Sequence, residues 1–128
     1  MSKQIINTNQ APAPIGPYNQ SVKAGQTLYV SGQIPINPET GELVEGGVKE
    51  EALQVCKNVV AVLNAAGYAP EDVVKTTIFL RDMADFPTVN EVYGEFFGGD
   101  LAPARETVAV AGLPKNVQVE ISVIAWKG

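Results

Sequence analysis

The chain has 128 residues, of which 45% are hydrophobic and 18% charged, so it is expected to form one domain over residues 1–128 and not a disordered protein. Nine basic against fourteen acidic side chains give a net charge of -5, so nucleic acid and membrane surfaces, both anionic, are not expected as partners. Histidine is absent and Cys56 is the one cysteine, which excludes a serine triad with a histidine base and argues against a zinc site.

The beginning of the chain and its hydropathy bear on its compartment. Residues 1–8 contain one lysine and only a two-residue apolar pair, Ile5-Ile6, which is not a secretory signal. No apolar run approaches the roughly 18 residues of a membrane span. A lone cysteine is also typical of a reducing compartment, so these features together predict a soluble cytoplasmic protein.

The first part of the chain is predicted to form two strands joined by a proline-rich loop. Residues 3–7 favour a short strand, and three prolines with Gly16 favour an extended loop over residues 11–17 that fixes the place of Tyr18. Residues 27–34 alternate as a half-buried strand does. The predicted sides are Leu28, Val30, Gly32 and Ile34 on one, and Thr27, Tyr29, Ser31 and Gln33 on the other.

Two segments have the apolar periodicity of helices, and three further segments favour strands. Residues 48–66 predict a helix that ends at Gly67, and residues 85–97 predict a second that ends at Gly98. The predicted inner residues of the first helix are a stripe of Leu53, Cys56, Val60 and Leu63, with Ala52, Val55, Val59, Val62 and Ala66 beside it. Those of the second helix are Phe86, Val89, Val92 or Tyr93, and Phe96. Residues 73–80, 103–110 and 117–126 are predicted strands.

This order of elements predicts an α+β domain, with a mixed sheet of about six strands and two helices packed on one face. The other face would be uncovered. It is predicted to carry Ser31, Arg105 and Glu120 together with Tyr29, Ile124 and Trp126. Large apolar groups on an uncovered sheet indicate a protein partner, and we predict a homo-oligomer with polar residues lining clefts between subunits.

Arg105 and Glu120 are the strongest candidates for chemistry because each is an ionisable residue within an apolar strand. The guanidinium of Arg105 fits a carboxylate with two parallel hydrogen bonds, although a structural ion pair with Glu120, Asp100 or another acid is equally compatible with the sequence. Glu120 in a desolvated cleft could move protons near neutral pH, or it could be an exposed strand residue or the partner of Arg105.

Four other residues are weaker candidates. Tyr18 and Ser31 could each contribute a hydroxyl group, although a packing role is as compatible with their positions. Asn90 could be an ordinary surface residue of the second helix. Cys56 lies on an apolar helix stripe, which favours a buried and unreactive thiol.

Several short motifs resemble the RidA family, also called YjgF, and in their order and spacing they cover almost the whole chain. They are Ala11-Pro12, Ile15-Gly16-Pro17-Tyr18, Ser31-Gly32-Gln33-Ile34-Pro35, Ala65-Ala66-Gly67, Val74-Lys75-Thr76-Thr77, Asp85-Phe86, Asn90-Glu91-Val92-Tyr93, Pro103-Ala104-Arg105, Leu113-Pro114-Lys115 and Val119-Glu120-Ile121.

The resemblance implies a chorismate-mutase-like fold and a homotrimer with active sites between subunits. It implies hydrolysis of 2-aminoacrylate and 2-iminobutyrate to 2-oxo acids and ammonia, with no cofactor and no metal. Arg105 would hold the carboxylate of the imino acid substrate, and Glu120 would activate water. The other implied substrate-binding residues are Tyr18, Ser31, Gly32, Asn90 and Thr107.

The chain departs from the family pattern directly after the arginine. Glu106 and Thr107 stand where the family usually has a small residue and often a cysteine. Strand alternation turns Glu106 away from Arg105 and puts Thr107 on the side of Arg105, in the place of the cysteine. Glu106 adds negative charge near a site for anions, and Thr107 could alter substrate preference.

Two other functions are compatible with the sequence. A non-catalytic trimer that senses small carboxylates would need Arg105 but not Glu120. RNA cleavage, claimed for some relatives, is disfavoured by the acidic charge and the absence of histidine.

Overall fold

The computed structural model describes residues 2–128, which form a mixed sheet, a small hairpin and two helices. The helices are α1 (Val48–Ala65) and α2 (Phe86–Phe97). The strands are β1 (Gln4–Ile6), β2 (Ser21–Ala24), β3 (Thr27–Gln33), β4 (Ile36–Asn37), β5 (Glu42–Leu43), β6 (Val73–Leu80), β7 (Ala104–Ala109) and β8 (Val119–Trp126). In this part of the chain, no helix has the length and apolarity that crossing a membrane requires.

The main sheet has six strands, the number that the sequence predicted, and their order is β1-β2-β3-β8-β6-β7. The pair β6–β7 is parallel, and the other pairs are antiparallel. A parallel pair needs a crossover connection, and α2 lies in that connection. The short β4–β5 hairpin was not predicted, because two-residue strands leave no periodic signal.

Helix α1 packs on the sheet with most of the predicted apolar residues buried, but its buried side is rotated slightly away from Leu53 and Val60. The buried residues are Ala52, Val55, Cys56, Asn58, Val59, Val62 and Leu63. Leu53, predicted to be central, is 36% exposed. The rotation turns Asn58 inward, where its Nδ2 donates to the carbonyl oxygens of Ile34 and Ile36 at 3.0 Å each. A buried polar side chain keeps such a place only when its hydrogen bonds are made.

Helix α2 buries Val89, Val92, Tyr93 and Phe97. Phe86 and Phe96, which were predicted on the inner side, are partly buried and pack against the core, whereas Phe97 was not among the predicted inner residues. Phe97 is buried and stacks on Tyr93 with 5.1 Å between the ring centroids.

Strand β3 does not alternate as predicted beyond Val30. Its pairing with β8 shifts register between Val30 and Gln33, which is the mark of a β-bulge. The shift turns the side chain of Gln33 into the protein, where it is only 5% exposed. Gly32, predicted to lie on the side of Val30, instead faces the carboxyl group of Glu120. The bulge therefore opens the space in which a candidate site is built.

Candidate active site

A cleft of about 500 Å³ lies at the bulge of β3 and contains four of the predicted site residues. Its lining residues are Ile15, Tyr18, Ser31, Gly32, Ile34, Pro114 and Glu120. Three apolar side chains and a few polar groups suit a small ligand that has one apolar end.

Glu120 is the acidic residue that lines this cleft. It pairs with Phe79 in the β6–β8 ladder and lies on the sheet face opposite the helices. Burial raises the pKa of its carboxyl group above the ordinary value. Among residues 2–128, no cation lies in ion-pair contact with this carboxylate. The group therefore exchanges protons at a higher pH than an exposed glutamate does.

Gly32 provides the room for that carboxyl group. A Cβ atom added to Gly32 would lie 2.8 Å from Cδ of Glu120 and would collide with Oε2. The backbone φ of Gly32 lies outside the left-handed region, so the glycine is needed for space and not for its conformation. We conclude that Gly32 shapes the Glu120 site.

Tyr18 and Ser31 are both held by the backbone of the loop before β2. The hydroxyl oxygen of Tyr18 accepts a hydrogen bond from Ile15 N at 3.4 Å. Ser31 Oγ donates to Asn19 O at 2.6 Å. Ser31 therefore offers the cleft an acceptor, whereas the hydroxyl proton of Tyr18 remains available as a donor.

Two buried amides hold the loops that line the cleft, and sequence reasoning missed both. Gln20 is 1% exposed, and its Nε2 donates to the carbonyl oxygens of residues 8, 11 and 12 while its Oε1 accepts from Thr8 N at 2.6 Å. Asn58 holds the carbonyls on either side of Pro35, next to Ile34 in the cleft wall. Asn58 could have been noticed in the sequence, because it is a polar residue within the apolar pattern of α1. No feature of the sequence pointed to Gln20.

Arg105 does not lie on the face of the sheet that carries Glu120, so the prediction that they share a face is wrong. In the parallel β6–β7 pair Arg105 lies beside Thr76, which is fully buried under the helices, whereas Glu120 lies beside Phe79. Residues paired across a ladder point to the same face, and neighbouring residues point to opposite faces. The two ionisable groups of one chain therefore face opposite sides.

The guanidinium of Arg105 is held against α2. Its Nη1 donates to Oδ1 of Asn90 at 2.7 Å, and its Cζ lies 5.4 Å and 5.1 Å from the ring centroids of Phe86 and Tyr93. Among residues 2–128, Arg105 makes no ion pair. Asn90 thus orients the arginine, and the remaining N–H groups of this exposed side chain are available for an anion.

The two residues after Arg105 point in opposite directions, as strand alternation predicted. Thr107 pairs with Ile78 on the side of Arg105, and its Oγ1 is buried with no hydrogen-bond partner among residues 2–128. Glu106 lies on the other face, where its Oε1 is 3.5 Å from Nζ of Lys75. The charge of Glu106 is therefore turned away from Arg105 within one chain.

The predicted site residues thus form two groups in a single chain. Tyr18, Ser31, Gly32 and Glu120 form the cleft. Arg105 lies with Asn90, and Thr107 faces the same side of the sheet. The first group contains the carboxyl group that is predicted to transfer protons. The second contains the guanidinium that is predicted to bind a carboxylate, with N–H groups available to an anion.

The fold and the cleft define a small α+β protein with a mixed six-stranded sheet and a half-buried carboxyl group on its uncovered face. The family model described as endoribonuclease L-PSP matches residues 8–127. The chain belongs to this family, also known as the RidA or YjgF family, as its motifs predicted.

Similarity to known proteins extends along the whole chain. A RutC family protein of Pyrococcus horikoshii is 53% identical over 125 residues, which cover 98% of each chain. The Mus musculus protein named 2-iminobutanoate/2-iminopropanoate deaminase is 51% identical over 126 residues, which cover 98% of this chain and 93% of that protein. A Rid family structure from Yersinia pestis superposes with a TM-score of 0.95 at 48% identity, covering 98% of this chain and 100% of that chain.

Proposed function

We propose that the chain is a hydrolase that converts 2-enamines and 2-imines, such as 2-aminoacrylate and 2-iminobutyrate, to 2-oxo acids and ammonia. The observation that carries the proposal is the Glu120 carboxyl group, half-buried in a cleft, with a raised pKa and no cation beside it among residues 2–128. Such a group is suited to proton transfer, because its pKa lies above that of an exposed glutamate. The family and the name of the Mus musculus relative support this substrate class.

The proposed enzyme is a homotrimer of chorismate-mutase-like chains with active sites in the clefts between subunits. Arg105 and Glu120 project from opposite faces of one sheet, so a substrate that touches both needs Arg105 from one subunit and Glu120 from another. The uncovered face supports such an assembly, because Tyr29 and Trp126 are 49% and 53% exposed in the single chain. Apolar groups of this size on a sheet face indicate a protein contact.

In the proposed reaction Arg105 binds the substrate carboxylate, held in orientation by Asn90, with Thr107 beside it. An enamine first takes a proton from solvent at its terminal carbon and becomes the protonated imine. Glu120 accepts a proton from water as the water oxygen bonds to the imine carbon, and the electron pair of the C=N bond moves to nitrogen. Protonated Glu120 then returns its proton to that nitrogen, the electron pair of the C–N bond leaves with ammonia, and the hydroxyl group loses its proton to Glu120 as its oxygen forms the 2-oxo group.

The experiment that tests this function generates 2-iminobutyrate with a threonine dehydratase and measures 2-oxobutyrate release in the presence of a trapping amine. Wild type is expected to accelerate release, and Arg105→Ala and Glu120→Gln are each expected to lose about 10²- to 10⁴-fold in kcat/KM. A Glu120→Gln variant that retains wild-type turnover would contradict catalysis by Glu120, whereas a wild type that does not accelerate release would favour the carboxylate-sensing alternative.

Mixing the two inactive variants tests where the site is assembled. If a site takes Arg105 from one subunit and Glu120 from another, trimers refolded from an equal mixture contain an intact pair in about one quarter of their sites. Recovery of about a quarter of wild-type activity is therefore expected. Mixtures as inactive as the separate variants would refute the inter-subunit site, and a monomer in sedimentation would refute the trimer.

A further inference from the structure

The cleft wall that contains Pro114 has a backbone conformation that its side chains do not favour. Lys115 has φ 54° and ψ 20°, and Asn116 has φ 58°. Two consecutive residues other than glycine in the left-handed region are uncommon, because Cβ is then crowded by the backbone. Something in the fold must hold this turn in place.

Arg81 holds the turn from one side. Its Nη1 donates to the carbonyl oxygen of Asn116 at 2.8 Å, and its backbone N donates to Gln118 O at 3.0 Å. The second bond extends the pairing of β6 and β8 by one residue beyond Leu80 and Val119. One residue thus links the left-handed turn to the start of the strand that carries Glu120.

Glu51 of α1 holds the same segment from the other side. Its Oε1 accepts from the backbone N of Gln118 at 2.8 Å, and its Oε2 accepts from Nε2 of Gln118 at 3.0 Å. A carboxylate with two N–H donors makes stronger hydrogen bonds than a neutral acceptor. Gln118 precedes Glu120 by two residues, so its position fixes where the side chain of Glu120 leaves the sheet.

We propose that Arg81 and Glu51 are positioning residues, whose hydrogen bonds hold the left-handed turn at Lys115 and Asn116 and the adjoining Gln118, and thereby set the place of the Glu120 carboxylate against Pro114. The inference rests on the proposed function, since it gives these two residues a part in the chemistry of Glu120. Neither residue lines the cleft, so neither is expected to touch the substrate.

Kinetics on imine generated in situ test this role. Arg81→Ala and Glu51→Ala are expected to lower kcat by about ten- to a hundredfold, with KM changed by less than about threefold, because Glu120 is displaced while Arg105 still binds the carboxylate. Arg81→Lys and Glu51→Gln keep a donor and an acceptor and are expected to retain most of the activity. Lys57→Ala, which removes an exposed cation from the outer side of α1, is the matched control.

A second substitution tests the role of the left-handed backbone. Glycine adopts positive φ without the crowding of Cβ, so Asn116→Gly in the Arg81→Ala background is expected to restore kcat at least severalfold. A loss of kcat in Arg81→Ala that Asn116→Gly leaves unchanged would overturn the proposal, as would wild-type kcat in both alanine variants.

A measurement without substrate separates this proposal from the proposed function. Loss of either side chain is expected to loosen the packing at Pro114 and admit water to the cleft. Because burial raises the pKa of Glu120, that pKa is expected to fall in Arg81→Ala and Glu51→Ala. Carbon NMR of the Glu120 carboxyl group measures the change. If wild type lacks deaminase activity, the proposed function fails and this titration still decides the role of the two residues. An unchanged Glu120 titration in both variants would refute that role.

Discussion

Replacing Gly32 by alanine tests whether the place of the Glu120 carboxyl group determines activity. The added Cβ would lie 2.8 Å from Cδ and 3.1 Å from Cγ of Glu120. Non-bonded carbon atoms rest at about 3.5–4.0 Å, so the carboxyl group must move by at least about 0.7 Å. A misplacement of about 1 Å in a catalytic group costs up to a hundredfold in rate, so we expect kcat/KM to fall by about ten- to a hundredfold.

The same substitution is expected to leave the fold nearly as stable as before. The atoms that Cβ meets belong to the end of a flexible side chain, and the φ of Gly32 suits alanine. A change of glycine to alanine at a compatible position alters stability by about 0.4–1 kcal/mol through the unfolded state. We therefore expect the free energy of unfolding, measured by urea denaturation, to change by less than about 1 kcal/mol.

The control and the double variant complete this test. Gly112→Ala adds a Cβ that meets no atom within 4 Å, so its kcat/KM is expected to match that of wild type. In the Glu120→Gln background, Gly32→Ala is expected to cost little more, because the group it displaces is already inactive. Wild-type kcat/KM in Gly32→Ala, or an equal loss in Gly112→Ala, would refute the role assigned to Gly32.

Three further predictions concern stability and reactivity. Because burial raises the pKa of Glu120 in the folded state, its charged form destabilises the fold above that pKa, so Glu120→Gln is expected to raise the thermal midpoint at pH 7. The gain should disappear below the unfolded pKa of 4.5, where the wild-type group is neutral in both states, and a gain independent of pH would contradict this cause. Asn58→Ala removes the donor of two backbone carbonyls and is expected to cost about 2–4 kcal/mol in urea denaturation, whereas the exposed Asn64→Ala on the same helix should cost under about 0.5 kcal/mol. Burial raises the pKa of Cys56 to about 12, so a water-soluble thiol reagent should not modify the native protein at pH 8 but should modify one thiol per chain in denaturant. Rapid modification of the native protein would contradict the buried position.

The elements that local pattern specifies were predicted well. The strand over residues 73–80 has the predicted bounds, and both helices begin and end within one residue of prediction. Their apolar periodicity is strong, and Gly67 and Gly98 end the helices. Such signals act over a few residues, so they can be read without knowing what the element packs against.

The sequence could not predict on which face of the sheet Arg105 lies, because that face depends on the register in which β7 pairs with β6. The strand over residues 104–109 is an exposed edge strand, and neither of its sides has a clear apolar majority. Without that pattern, alternation predicts that Arg105 and Thr107 share a side but not which side faces the helices. The direction of Gly32 was missed for a related reason, since a bulge at residues 30–33 interrupts the alternation and depends on pairing with a distant strand.

Arg105 and Glu120 lie on opposite faces of the sheet, and this placement also determines the state of both groups in the single chain. Had Arg105 lain beside Glu120 in one chain, its charge would have lowered the pKa of the carboxyl group and formed an ion pair. The sheet between them prevents this, so Glu120 keeps a pKa raised by burial and Arg105 keeps a free edge beside Asn90. In the proposed trimer a substrate carboxylate occupies the arginine, so the cation is already engaged and the glutamate remains able to move protons. The separation of Arg105 and Glu120 within one chain therefore keeps both groups reactive in the proposed trimer.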